Sequence, residues 1–146
     1  MSNYYIKRIL ALFLLFCSFV VIVINYQNEL LLKLFPEKIW VHRVNFIDKL
    51  QEINTKFSGV EVDVIFIEDK NIFDVNHPPA QSIDLSLFKY LSSIKLTSNN
   101  SFWIDFKNLS EDNMENSCLK LDSICKELKL NREQFIIEST SHPQYL

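Results

Sequence analysis

Val60-Glu61-Val62-Asp63-Val64 is the stretch on which the reading of this chain turns. Successive side chains of a strand point to opposite faces, so the two carboxylates share one face and the three valines the other. The valines suit a strand packed by helices on that side. Carboxylates on the inner face of a buried strand are costly unless an opposite charge compensates them. A bound divalent cation is the most direct compensation. Working outward, three further segments carry polar residues where apolar ones are expected. They are Trp40-Val41-His42-Arg43-Val44-Asn45, Asn76-His77-Pro78-Pro79 and Trp103-Ile104-Asp105-Phe106-Lys107.

Around these segments the pattern alternates between strand and helix. Residues 39–45 read as a strand. Residues 46–57 read as an amphipathic helix, with Phe46, Ile47, Leu50, Ile53 and Phe57 at helical spacing and Ser58-Gly59 closing it. Residues 60–67 form the second strand, a polar turn follows at 68–71, and 72–76 read as a short return strand. A short helix is expected at 86–93, capped by Asp84 or Ser86. Residues 101–107 make the third strand, 110–130 a long helix, and 134–138 a fourth strand. His142 reads as a tail residue. Strand-helix repetition predicts an α/β fold of (βα) repeats with parallel strands and helices outside. Sites in such folds gather at the C-terminal ends of the strands.

Residues 9–24 are an unbroken apolar and small-residue run, preceded by Lys7 and Arg8 and followed by Asn25, Gln27, Asn28 and Glu29. Counting Tyr4, Tyr5 and Ile6 as an interfacial extension, the run approaches the roughly 20 residues that span a bilayer, and residues 6–24 are expected to meet the membrane. Residues 1–24 are therefore expected to be a membrane anchor or signal, 25–38 a juxtamembrane connector stopped by Pro36, and 39–146 the globular domain. The basic flank orients the N-terminus inside and the domain on the extracytoplasmic side. A cleaved signal, giving a secreted or periplasmic domain, is the rival reading; the bulky Ile22-Val23-Ile24-Asn25-Tyr26 offers no small-x-small cleavage pattern. The net charge of −3, with no basic stripe, argues against a nucleic-acid partner. The single glycine, Gly59, rules out a glycine-rich phosphate loop. Cys17 lies in the apolar run, and Cys118 and Cys125 read as two small buried side chains on one helix face. Two helical turns, roughly 10 Å, separate that pair, too far for a disulfide.

The ordered series His42-Arg43, Glu61-x-Asp63, His77 and Asp105-x-Lys107 resembles the glycerophosphodiester phosphodiesterase-like superfamily, a TIM-barrel group that includes phosphatidylinositol-specific phospholipase C. Within it the chain looks most like the menorin-type branch. The supporting strings are Trp40-x-His42-x-Val44-Asn45, His77-Pro78-Pro79 followed by Leu85-Ser86-Leu87-x-x-Tyr90-Leu91, and Asp105-Phe106-Lys107. The resemblance covers roughly residues 39–140. It implies Glu61, Asp63 and Asp105 as oxygen ligands for Mg²⁺ or Ca²⁺, and His42 and His77 as general base and acid. It further implies Arg43, Lys107 and Asn45 as partners of the substrate phosphate. From their place on the last strand, Glu138 and Ser139 are further candidates to line the site. The implied activity is phosphodiester cleavage, as a phosphoric diester hydrolase, on a glycerophosphodiester or phospholipid headgroup. Each residue also has an ordinary structural reading: a core histidine, a solvent-facing carboxylate pair on an edge strand, a plain loop, a surface ion pair.

A complete TIM barrel takes about 250 residues. Residues 39–146 accommodate only four βα units, so the expected architecture is a partial, half barrel holding all of the implied site positions. Open strand edges invite pairing with a second copy, hence a possible homodimer. A non-catalytic menorin-like binding or adhesion module, and a truncated inactive remnant, are the alternatives to an enzyme.

Overall fold

The computed structural model describes residues 3–35, 38–53, 56, 57, 59–95, 97 and 100–139. The elements run α1 (Asn3–Leu34), β1 (Trp40–Val41), α2 (Ile47–Ile53), β2 (Gly59–Ile67), β3 (Ile72–Val75), α3 (Leu87–Ser92), β4 (Ser101–Phe106), α4 (Met114–Leu128) and β5 (Phe135–Ser139). Two units are separate, Met1–Pro36 and Glu37–Leu146.

The first unit is α1. Its 32 residues rise about 48 Å at 1.5 Å each, more than the roughly 30 Å of a bilayer's hydrocarbon core. Its leucines, phenylalanines and isoleucines are exposed all round rather than on one stripe. It is long and apolar enough to cross a membrane. The helix runs on through residues 25–34, so the described part of the expected connector is largely helical.

In the second unit the sheet order is β1-β2-β4-β5, all parallel, with β3 returning antiparallel against β2. This α/β arrangement bears out the parallel, helix-covered sheet. Val60, Val62, Val64 and Phe66 of β2 join Phe102, Ile104 and Phe106 of β4 on the helix-covered face. Leu50 and Ile53 of α2, Leu87, Tyr90 and Leu91 of α3, and Ile124 and Cys125 of α4 complete that core. Burying each such large side chain contributes about 1.5–3 kcal/mol. Tyr90 is fully buried and its hydroxyl donates to the Val44 carbonyl at 2.6 Å, which satisfies its one polar group.

One edge of β2 is shared in turn by several partners, and this seam builds the site. At its start β2 pairs with Trp40 and Val41. Arg43 then takes a left-handed backbone (φ 54), and the strand pairing stops. The Val44 N–H still donates to the Glu61 carbonyl at 2.9 Å. At Asp63 a side chain replaces the strand: Asn45 Oδ1 accepts from the Asp63 N–H at 3.0 Å. The Asp63 carbonyl accepts from Asn76 N–H at 3.1 Å, and β3 holds the remainder.

Two element bounds and one burial differ from expectation. The first strand is two residues rather than 39–45, because Arg43 turns the chain and Asn45 pairs through its side chain. The long helix starts at Met114 rather than at residue 110. Asn113 is the cause: its side chain accepts from Ser110 N–H and donates to the Asn108 carbonyl, which holds a turn ahead of the helix. Cys125 is buried as expected, but Cys118 is exposed, so the two cysteines do not share a buried face. Ser86 caps α3 by accepting from Lys89 N–H at 3.2 Å. Pro36, Ser58 and the tail from residue 140, His142 included, lie outside the described residues.

Candidate functional site

The register of the parallel strands places the polar residues of the other sheet face in rows. Glu61 lies beside Trp103, which lies beside Ile136; Asp63 lies beside Asp105, which lies beside Glu138. The carboxylates of Glu61, Asp63 and Asp105 each offer an oxygen, and these oxygens lie within 4.8 Å of one another. Glu61 and Asp63 are almost fully buried, 4% and 1% exposed. A cleft of about 260 Å³ opens over them, lined by His42, Arg43, Glu61, Asp63, Trp103, Asp105, Lys107 and Glu138.

The hydrogen bonds fix which carboxylate oxygens are available. Glu61 Oε2 accepts from the Arg43 backbone N–H at 2.6 Å, a contact that the left-handed turn at Arg43 makes possible. His42 Nδ1 lies 3.4 Å from the same oxygen, on a largely exposed ring. Asp63 Oδ2 accepts from Asn45 Nδ2 at 2.6 Å, and Asp63 Oδ1 pairs with Lys107 Nζ at 2.8 Å. Lys107 also pairs closely with Asp105 Oδ2. Glu61 Oε1 and Asp105 Oδ1 are buried without a partner.

Three carboxylates thus cluster about the Lys107 ammonium, and the crowding shows in the proton affinities of Glu61 and Lys107. Burial raises the pKa of Glu61. The Arg43 N–H works against that rise, and the charges of Asp63 and Asp105 add to it. For Lys107, burial pulls the pKa down, but the hydrogen bonds and charges of Asp105 and Asp63 outweigh it and hold the ammonium above its ordinary value. An all-oxygen donor set with two unsatisfied buried carboxylate oxygens fits a hard divalent cation. Glu61, Asp63 and Asp105 could hold one.

Of the residues expected from the sequence, His42, Arg43, Glu61, Asp63, Asp105, Lys107 and Glu138 line one cleft. Asn45 lies against it as a support for Asp63. His77 follows β3, half-buried, one residue beyond the Asn76 N–H that bonds to Asp63; it is not among the cleft's lining residues. In the sequence Trp103 reads only as part of a strand. The signal for it was its period-two spacing from Asp105, which puts the indole on the carboxylate face. A larger cleft of about 360 Å³ lies where Phe66 and Glu68 meet Asn116 and Leu119 of α4. Its Glu68 and Asn116 bond each other at 2.8 Å, and among the described residues none of the unpartnered buried polar atoms belongs to its lining.

No protein-family model matches this chain, nor does any curated protein or solved structure.

Proposed function

We propose that the sheet unit is a cation-dependent phosphodiesterase-like domain, a partial barrel of the glycerophosphodiester phosphodiesterase type, carried on α1 as a membrane anchor with the domain extracytoplasmic. The observation that carries the reading is the convergence of Glu61, Asp63 and Asp105 within 4.8 Å, two of them with an unsatisfied buried oxygen, beside Arg43 and Lys107. A Mg²⁺ or Ca²⁺ ion bound there supplies positive charge to a phosphodiester's oxygens. Arg43 offers a planar fork of donors and Lys107 a point charge to the same oxygens. His42, held near Glu61, is placed to take or give a proton. The substrate class is a glycerophosphodiester or phospholipid headgroup.

A second reading, a non-catalytic binding module on the same scaffold, is favoured by the position of His77 outside the residues that line the cleft. Cleavage distinguishes the two. Full-length protein in neutral detergent micelles is incubated with bis(p-nitrophenyl) phosphate and with glycerophosphocholine. The enzyme reading expects cleavage with Mg²⁺ or Ca²⁺ present, lost with chelator and lost in Glu61→Gln. Cation binding without cleavage of either compound favours the binding module; absence of both sinks the two readings together.

A further inference from the structure

Among the described residues, three buried polar side-chain atoms have no hydrogen-bond partner: Glu61 Oε1, Asp105 Oδ1 and Trp103 Nε1. All three belong to residues lining the one cleft over the carboxylates. Their chemistry is not the same. The carboxylate oxygens accept, whereas an indole N–H only donates. A cation alone answers the carboxylates and leaves the indole unanswered. A ligand that answers all three brings positive charge to Glu61 and Asp105 and an oxygen acceptor to Trp103.

The Trp103 ring is held by its neighbours. Trp40 meets its ring edge to face at 6.3 Å, and the His42 ring lies 5.6 Å away at 60°. Trp40 is itself held down on Gly59, where a Cβ would come within 2.4 Å of the Trp40 ring. Glu61 is the register partner of Trp103 on β2. The indole is therefore packed against Trp40 and His42, on the strand position beside Glu61. The charged donors lining the same cleft, Arg43 and Lys107, suit an anionic oxygen better than a neutral hydroxyl.

We propose that Trp103 is a ligand-contacting residue whose Nε1–H donates to an oxygen of a phosphate-class oxyanion held in the cleft with the cation. This rests on the reading of the cleft as a cation and phosphate site, and it adds a specificity-determining contact to it. The oxyanion is a free phosphate or a lipid phosphodiester, which share this chemistry.

The chain has two tryptophans, Trp40 and Trp103, so an ¹⁵N-labelled full-length sample in phosphate-free maltoside micelles gives two indole N–H resonances. Trp103→Phe assigns them, and Trp40→Phe gives the same assignment if that variant does not fold. MgCl₂ is added first, then inorganic phosphate or dihexanoylphosphatidylglycerol in separate titrations. The expected result is a downfield move of the Trp103 indole proton with phosphate, the lipid or both, only when Mg²⁺ is present, while glycerol produces none. Which of the two additions moves it identifies the source of the oxyanion. In calorimetry, Trp103→Phe weakens binding of that oxyanion by about three- to tenfold, with Mg²⁺ affinity held within about twofold. Oxyanion binding that leaves the Trp103 resonance in place, or that Trp103→Phe does not weaken, overturns this proposal and leaves the cleft reading standing. If neither Mg²⁺ nor either oxyanion binds, the cleft reading falls and the proposal with it.

Discussion

Asn45→Ala tests how the seam along β2 supports the carboxylates. Asn45 makes two bonds to one residue: its Oδ1 accepts from the Asp63 N–H at 3.0 Å, and its Nδ2 donates to Asp63 Oδ2 at 2.6 Å. Loss of the bond to the charged carboxylate removes about 1.5–3 kcal/mol, and a buried N–H left without an acceptor costs about 1–3 kcal/mol. Asn45 is half-buried, so water recovers part of this, and the expected net loss is about 2–4 kcal/mol. That is a large share of a typical domain stability of about 5–15 kcal/mol. Both tryptophans belong to the sheet unit, so their fluorescence in urea reports that unit while α1 remains in a micelle. The expected result is a lower midpoint at unchanged slope. Asn45→Asp keeps the acceptor and sets a second carboxylate against Asp63 where the donor stood. Two carboxylates that close share a proton, so the deficit of this variant shrinks as pH falls into the carboxylate range. A loss in Asn45→Ala below about 0.5 kcal/mol, the size of an ordinary surface change, refutes the reasoning, as does a pH-independent deficit in Asn45→Asp.

Two further outcomes are expected. Gly59→Ala places a Cβ 2.4 Å from Trp40 Cδ2 and lowers stability by about 1–3 kcal/mol through overpacking, read as a shift of the same urea midpoint. Burial, with Asp63 and Asp105, raises the folded pKa of Glu61 above its unfolded value, so this group favours the cation-free fold only while protonated, and that contribution is lost as pH rises through the folded pKa. In chelator, Glu61→Gln therefore gains stability relative to wild type between acid and neutral pH; urea midpoints at several pH values that run parallel for the two proteins contradict this.

Much of the fold was legible because its signals are periodic. The alternation Val60-Glu61-Val62-Asp63-Val64 fixed both faces of β2, and Ser101 to Phe106 repeats that pattern, so parallel strands under helices followed. The extent of β1 was not legible. Val44 and Asn45 continue the strand-like composition, but Arg43 adopts a left-handed backbone that sequence gives no reason to expect of an arginine. The site was legible as a set of residue types and less so as a set of roles. Glu61, Asp63 and Asp105 converge as their strand positions imply. Lys107 and Asn45, expected to meet a phosphate, already bond the carboxylates, because a buried acid draws the nearest donors whatever else they serve. His77 depends on a loop, and loop geometry does not follow from periodicity. Trp103 was not legible as a site residue because an aromatic in a strand reads first as packing, and only the unpartnered Nε1 marks it out.

The central claim is that the three carboxylates form a cation site. Calorimetric titration of full-length protein in micelles with Ca²⁺ and with Mg²⁺, beside Glu61→Gln and Asp105→Asn, tests it most directly. The expected result is saturable binding of a single ion per chain, weakened by about tenfold or more in each variant, in line with the loss of a directly bound oxygen ligand. Absence of binding of either ion to the wild-type protein, or equal binding by all three proteins, contradicts the claim and leaves Lys107 as the counter-charge of Asp63 and Asp105.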